Sequence, residues 1–142
     1  MANEREELNL DKRNIDELRY IQQLYQNQYS MIGNSINALL RELQELNATQ
    51  QTLEHIELFE GKSTLTQIGG GFYLHSKVDD PKNVIVNVGS GYLVEKEVDA
   101  AKTHVADLIK SYTDNLNRLT KSRKEVEAAL IEMNYRIGEG SR

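Results

Sequence analysis

The chain has 142 residues, with no Cys, no Trp, two Phe and a hydrophobic fraction of 39%. So few bulky apolar side chains favour a thin core, and the lack of Cys excludes a disulfide framework and thiolate metal sites. The net charge of −5 lies mainly in residues 1–60, which carry eleven acids and five bases. Without a basic face, a secretory signal or a run of ~18 apolar residues, the sequence predicts a cytoplasmic protein with no nucleic-acid or membrane partner.

The segment from about residue 9 to residue 60 predicts one long helix that packs along its length against another helix. Its apolar residues recur every seven positions in one row, with a second row beside it, which is the seam of a coiled coil. The first row is Leu18, Tyr25, Ile32, Leu39, Leu46 and Leu53, and the second is Ile15, Gln22, Tyr29, Ile36, Leu43 and Gln50. We expect Gln22, Gln28 and Gln50 to dilute this seam. Asn14 with Glu17 resembles a capping box, an earlier start at Asp11 is equally compatible, and Gly61 would end the helix.

The middle of the chain, residues 61–95, predicts four short strands that form two β-hairpins. The strands are expected over 63–68, 72–78, 84–88 and 92–94, with glycine-rich turns at 69–71 and 89–91 and a Pro-containing turn at 79–83. Two isolated hairpins are marginally stable and leave open edges. We therefore expect this segment to complete a sheet or barrel together with other subunits.

The last segment, about residues 96–138, predicts a second coiled-coil helix. One row is Val98, Val105, Tyr112, Leu119, Val126 and Met133, and the other is Lys102, Ile109, Leu116, Arg123, Leu130 and Ile137. Folding the chain back through the hairpins makes the two helices antiparallel, with Leu18 expected opposite Arg136. The predicted fold is thus α+β, a single domain built as a long antiparallel helical hairpin of roughly 65–70 Å with two central β-hairpins.

The sequence contains no pattern typical of an enzyme or of a cofactor site. The glycine-rich turns match neither the dinucleotide fingerprint nor the phosphate-binding loop, and strand-end turns explain them more simply. His55, His75 and His104 are scattered without metal-ligand spacing. The basic cluster Lys121, Arg123 and Lys124 fits a solvated flank. We expect no catalytic residue, no cofactor and no metal.

Apolar residues near both chain ends would meet at the open end of the helical hairpin, where a coiled coil frays. We call this group the tip set: Ile15, Leu18, Ile21, Leu130, Met133, Tyr135 and Ile137. Its members fit two interpretations. The first is ordinary packing in the seam. The second is an adaptable surface that binds exposed hydrophobic segments, and the flexible side chain of Met133 suits such a surface.

The stretch from Ile68 to Ala101 resembles the central segment of α-class prefoldin subunits. Its most specific part is NVIVNVGSGYLVEK, residues 83–96, and the order of helix, four strands and helix extends the resemblance over nearly the whole chain. Gln67 stands where many relatives have Pro. Two hairpins rather than one are typical of the α class.

The resemblance implies an ATP-independent chaperone (holdase) that captures unfolded proteins at its coiled-coil tips and delivers them to a group II chaperonin. It also implies a heterohexamer of two α and four prefoldin β subunits around a double β-barrel platform. The hairpin residues implied for this oligomerisation, called the hairpin set, are Ile68, Phe72, Leu74, Val78, Val84, Val86, Val88 and Tyr92. The alternative is a structural coiled-coil adaptor that docks one specific folded partner.

Overall fold

The computed structural model describes the backbone of residues 2–140 and the side chains of residues 14–140. Two long helices flank two antiparallel β-hairpins, as the sequence predicts. The elements are helix α1 (Ala2–Glu54), a 3₁₀ helix (Ile56–Phe59), strands β1 (Ser63–Gly69), β2 (Phe72–Lys77), β3 (Asn83–Gly89) and β4 (Tyr92–Glu97), and helix α2 (Val98–Gly140). Strand β1 pairs with β2 as hairpin 1, and β3 pairs with β4 as hairpin 2.

Helix α1 differs from its predicted bounds at both ends. It begins at Ala2 rather than between residues 9 and 14, so Asn14 lies inside the helix and is not its cap. Residues 2–14 contain neither Pro nor Gly and include three Glu and two Arg residues, which have good helix propensity and explain the early start. At the other end the α-helix stops at Glu54, and a 3₁₀ turn takes the chain to Gly61, whose φ of 69° lies in the left-handed region.

Strands β1, β3 and β4 are longer than predicted, whereas β2 ends at Lys77, one residue before its predicted end. Strand β4 extends to Glu97 rather than Val94, opposite Asn83 at the start of β3. Helix α2 then begins at Val98, whose backbone N–H donates a 2.8 Å hydrogen bond to the carbonyl oxygen of Lys82. It continues through Gly138 to Gly140, two residues beyond the predicted end.

The predicted coiled-coil rows coincide with the buried positions of both helices. Every residue of the four rows is buried or half-buried, while most other side chains described in α1 are exposed. Ile36 is 4% exposed and Val126 is 6% exposed, which makes them the best-shielded apolar side chains among residues 14–40 and 114–140. Gln22 and Gln50 are half-buried as expected, but Gln28 is exposed and does not belong to the seam, because it lies outside both sevenfold rows.

The chain divides into two compact units, each containing part of both helices. The terminal unit is Met1–Leu40 with Asp114–Arg142, and the central unit is Arg41–Thr113. In the central unit, Leu53 packs with Ala101 and Val105 in a buried cluster, against which Leu46, Val84 and Ile109 also pack. Helix α1 and helix α2 are therefore antiparallel there, and β3 contributes Val84 to their shared core.

In the terminal unit the helices are also antiparallel, but their register differs slightly from the predicted one. The side-chain amide of Gln22 donates a hydrogen bond to Oδ1 of Asn134. A Cβ built on Gly140 would lie 2.9 Å from Cδ1 of Ile15, so these two residues are adjacent. Both contacts place Leu18 opposite a residue of α2 that lies one or two positions after Arg136 in the sequence. The prediction assumed that both segments advance by the same length per residue from the strands outward. A 3₁₀ helix has a larger rise per residue than an α-helix, so this assumption does not hold after α1.

Candidate functional site

The terminal unit places the tip set in two different environments. Five members are half-buried at seam positions, as ordinary helix packing requires: Ile15, Leu18, Leu130, Met133 and Ile137. Ile21 and Tyr135 lie outside the seam, with 39% and 66% of their surfaces exposed. The tip set is therefore divided between seam residues and two exposed side chains outside the seam.

Sequence reasoning missed several apolar side chains that are more exposed than most of the tip set. On α1 they are Tyr20 and Leu24, and on α2 the missed residue is Ile131. Residues 20–40 contain no charged side chain, which distinguishes this stretch from the neighbouring face of α2. A scan of that uncharged stretch for apolar residues outside both seam rows would have found those on α1, and the same rule applied to α2 would have found Ile131.

A shallow groove marks the outer face of α1 in the terminal unit. It has a volume of about 380 Å³ and is lined by Asp16, Glu17, Tyr20 and Ile21. On α2, Arg136 forms an exposed 2.8 Å ion pair with Glu132, one helical turn away. The unit therefore combines exposed aromatic and aliphatic surface with a charged border, which is suited to weak and adaptable contacts with apolar segments.

The hairpin set is likewise divided between inward and outward positions. Val78, Val84 and Val86 are half-buried, and Val84 packs on the helices of the central unit. The other five members are exposed: Ile68, Phe72, Leu74, Val88 and Tyr92. Five further exposed apolar residues were not in the predicted set: Leu65, Tyr73, Ile85, Leu93 and Val94. The two hairpins thus carry far more uncovered apolar surface than a stable isolated unit would.

An apolar groove of about 600 Å³ lies beside hairpin 2 in the central unit. The groove is lined by residues of three parts of the chain. They are Leu46, Leu53 and Ile56 from α1 and the 3₁₀ helix, Val86 from β3, and Val105 from α2. Lys96 Nζ lies 3.5 Å from Nδ1 of His104, which also lines this groove. Ile85 and Asn87 of β3 also line the groove, so it reaches the exposed side of that strand.

The predicted turn at 79–83, between the two hairpins, is stabilised by the side chain of Asp80. Its carboxylate accepts hydrogen bonds from the side-chain amide of Asn83, at 3.0 Å, and from the backbone N–H of Lys82, at 2.9 Å. Both hydrogen bonds lower the pKa of Asp80 below its ordinary value of 3.8, and the bond from Asn83 has the larger effect. The hydrogen bonds fix the path from β2 into β3.

Within residues 14–140, no group of three or more His, Cys, Asp or Glu side chains is placed to hold a metal ion. The helices among the described residues do not combine the length and apolar character needed to cross a membrane. The three histidines lie on different elements, α2, β2 and the link after α1.

Comparison with known families decides the identity of this arrangement. The family model described as prefoldin subunit matches residues 25–138, which include most of both helices and both hairpins. The chain belongs to the prefoldin family. Prefoldins are chaperones, and membership implies a chaperone-type function for this protein. No curated protein sequence matches the chain.

A solved prefoldin structure shares the fold. The filamentous PFD from Methanocaldococcus jannaschii, determined by cryo-EM, is 24% identical and superposes with a TM-score of 0.68. The match covers 80% of this chain and 94% of that one. The prefoldin arrangement of two long helices and two small antiparallel hairpins is thus common to both.

Proposed function

We propose that this prefoldin is an α-class subunit of an ATP-independent holdase, which captures unfolded proteins through its terminal unit. The observation that carries the proposal is the exposure of Tyr20, Ile21, Ile131 and Tyr135 beside a half-buried seam. Apolar side chains exposed on a charged helical hairpin can contact non-native segments without a fixed shape of the partner. No bond is made or broken in such capture, so it needs neither nucleotide nor catalytic residue.

The α-class assignment is supported by the presence of two hairpins, each with exposed apolar side chains. In this proposal the central unit joins a heterohexamer of two α and four prefoldin β subunits in the cytoplasm. Each terminal unit would bind a client weakly, and several units on one platform would raise the effective concentration of binding sites. Clients would then pass to a group II chaperonin.

The test measures how the complex with its prefoldin β subunit suppresses aggregation of a chemically denatured protein. Two double variants remove the exposed tip surface, Y20S/I21S on α1 and I131S/Y135S on α2. Because these side chains are exposed, the variants should fold and assemble normally. We expect each to raise the concentration of complex needed for half-maximal suppression by about tenfold, a loss of ~1.4 kcal/mol in binding.

The matched control is M31S/L40S, which removes two similarly exposed apolar side chains of the same helix further from the tip. It should protect as well as the unchanged complex. Equal protection by all variants would contradict the tip assignment. Saturable binding to one folded protein, without affinity for denatured ones, would instead support the coiled-coil adaptor.

A further inference from the structure

Helix α1 carries a second pair of sevenfold rows in the terminal unit, on the side that faces away from its seam with α2. We call its six residues the outer stripe: Tyr20, Leu24, Asn27, Met31, Asn34 and Ala38. They recur at alternating spacings of four and three, and all of them are exposed. In a heptad these positions lie about 150° around the helix from the seam rows. A further helix can therefore pack along the outer stripe without displacing α2.

No charged side chain lies in the outer stripe or at the positions that flank it. Residues 20–40 contain no Asp, Glu, Lys or Arg, although residues 1–60 as a whole carry eleven acids and five bases. The flanking positions are uncharged and exposed as well: Ile21, Gln28 and Ser35 on one side, and Gln23, Ser30 and Asn37 on the other. Like charges repel, so this uncharged stretch is where two copies of the acidic helix α1 can approach each other.

The charged residues just beyond the stripe distinguish the two directions in which two copies can pair. Glu17 precedes Leu24 by one heptad, Arg41 follows Asn34 by one heptad, and both charged side chains are exposed. In a parallel pair each of them would face its own counterpart, so like charges would meet at both ends. In an antiparallel pair centred near residue 29, Glu17 of each copy faces Arg41 of the other. Charge therefore selects the antiparallel arrangement.

The same antiparallel register suits the uncharged residues between those ends. It sets Tyr20 opposite Ala38 of the other copy, so a large side chain meets a small one. It also sets the two longest aliphatic side chains of the stripe, Leu24 and Met31, opposite the amides of the other copy. Each contact occurs twice, because a two-fold axis relates the copies. The amides reduce the apolar surface that is covered, which keeps the contact weak and reversible.

We propose that the outer stripe binds the outer stripe of a second copy of this chain, in an antiparallel two-fold contact centred near residue 29. The α1 helices of the two molecules then lie side by side and point in opposite directions. Leu24 and Met31, which are 50% and 69% exposed in the single chain, become covered. Neither the hairpins nor the exposed residues of α2 take part, so the contact goes beyond the function proposed above and does not depend on it.

Position-specific cross-linking of the full chain tests the contact, because the chain has no Cys of its own. The single variants Q23C, S30C and N37C each place one thiol on the same flank of the stripe, and a short bismaleimide joins thiols that come close. The two-fold axis brings residue 30 of both copies together, so S30C should cross-link to itself. Two copies of residue 23, or of residue 37, lie about 20 Å apart along the helices, so Q23C and N37C should each fail to cross-link alone. A mixture of these two should cross-link, because residue 23 of one copy faces residue 37 of the other.

Further changes in the S30C background test what holds the contact together. E17R and R41E each set like charges together at both ends, so each should lower the cross-linked yield about tenfold, and the double variant E17R/R41E should restore it. L24S/M31S should lower the yield about 100-fold, because it removes the apolar side chains that become covered. The matched control E127R reverses an exposed charge on α2 in the terminal unit and should leave the yield unchanged.

Equal self-cross-linking at all three thiol positions would overturn the proposal, because it would indicate parallel or unspecific association. An S30C chain that gives no cross-link at high micromolar concentration would overturn it too, as would a double charge variant no better than its single variants. Helical circular dichroism of each variant separates a lost contact from a lost fold. No client is present in these measurements, so their outcome and that of the aggregation test are independent.

Discussion

At the scale of single residues, Asp80 is the clearest case in which sequence chemistry fixes a local structure. Its two carboxylate oxygens accept separate hydrogen bonds, one from a side chain and one from a backbone N–H. Both bonds favour the ionised form, so the pKa of Asp80 is lower in the folded protein than in the unfolded chain. Its stabilising effect is therefore complete above the unfolded-state pKa and is lost as the pH falls through the folded-state pKa.

We predict that N83A raises the pKa of Asp80 towards 3.8, because it removes the largest of the favourable interactions. The measurement is an NMR titration of the side-chain carboxyl carbon between pH 2 and pH 6, compared in the two proteins. The control N117A, at an exposed position of α2, should leave the titration of Asp80 unchanged. An unchanged titration of Asp80 in N83A would contradict the assigned cause.

Single residues also explain why the sequence did not predict which members of the tip set and the hairpin set are exposed. Ile21 and Leu18 are both aliphatic and three positions apart, yet Leu18 falls in a seam row and Ile21 falls beside it. In hairpin 2, Val84 and Ile85 point to opposite faces because side chains alternate along a strand. The pattern distinguishes the faces, but only the packing of Val84 on the helices shows which of them is covered.

At the scale of elements, the sevenfold rows are what holds α1 and α2 together. Their burial is uneven, since Ile36 is among the few buried apolar side chains whereas Gln22 and Gln50 leave polar groups at the seam. Gln22 makes its hydrogen bond to Asn134 across the two helices, which favours one register over its neighbours. The stability of the helix pair thus comes from a few apolar layers, and the polar pair Gln22–Asn134 favours one register of α1 against α2.

We predict that I36A lowers the free energy of unfolding by about 2–4 kcal/mol, because it removes buried methyl and methylene groups from the seam. The control M31A truncates a side chain of the same helix that is 69% exposed, and it should change stability by no more than about 0.5 kcal/mol. Urea unfolding followed by circular dichroism measures both. Equal effects of the two variants would show that the seam does not pack as described.

At the scale of the whole molecule, the two hairpins are the part of the chain with the most uncovered apolar side chains. Each is a two-stranded sheet, and apolar side chains remain exposed on both. Assembly would cover these side chains and would bring several terminal units onto one platform. Under the proposed function, client capture therefore depends on hairpin residues that never touch the client.

We predict that F72D/Y92D prevents assembly with the prefoldin β subunit and lowers protection of a denatured client by about 10²-fold, because multivalent binding is lost. Phe72 and Tyr92 are 70% and 71% exposed, so the single chain should retain its helical circular dichroism. Molar mass and client aggregation are the two measurements. Full protection by an unassembled variant would show that one terminal unit suffices.

The sequence by itself determined the order of elements, the coiled-coil faces and the two hairpins, because helix and strand periodicities are local properties of the chain. Even the turn at Asp80 follows from neighbouring residues. The tertiary structure alone decided the register of Gln22 against Asn134 and the exposure of Tyr135 beside half-buried Met133. It also showed which apolar side chains of the hairpins are uncovered. These properties depend on which distant segments meet, and contact between residues far apart in sequence leaves no local periodic signal.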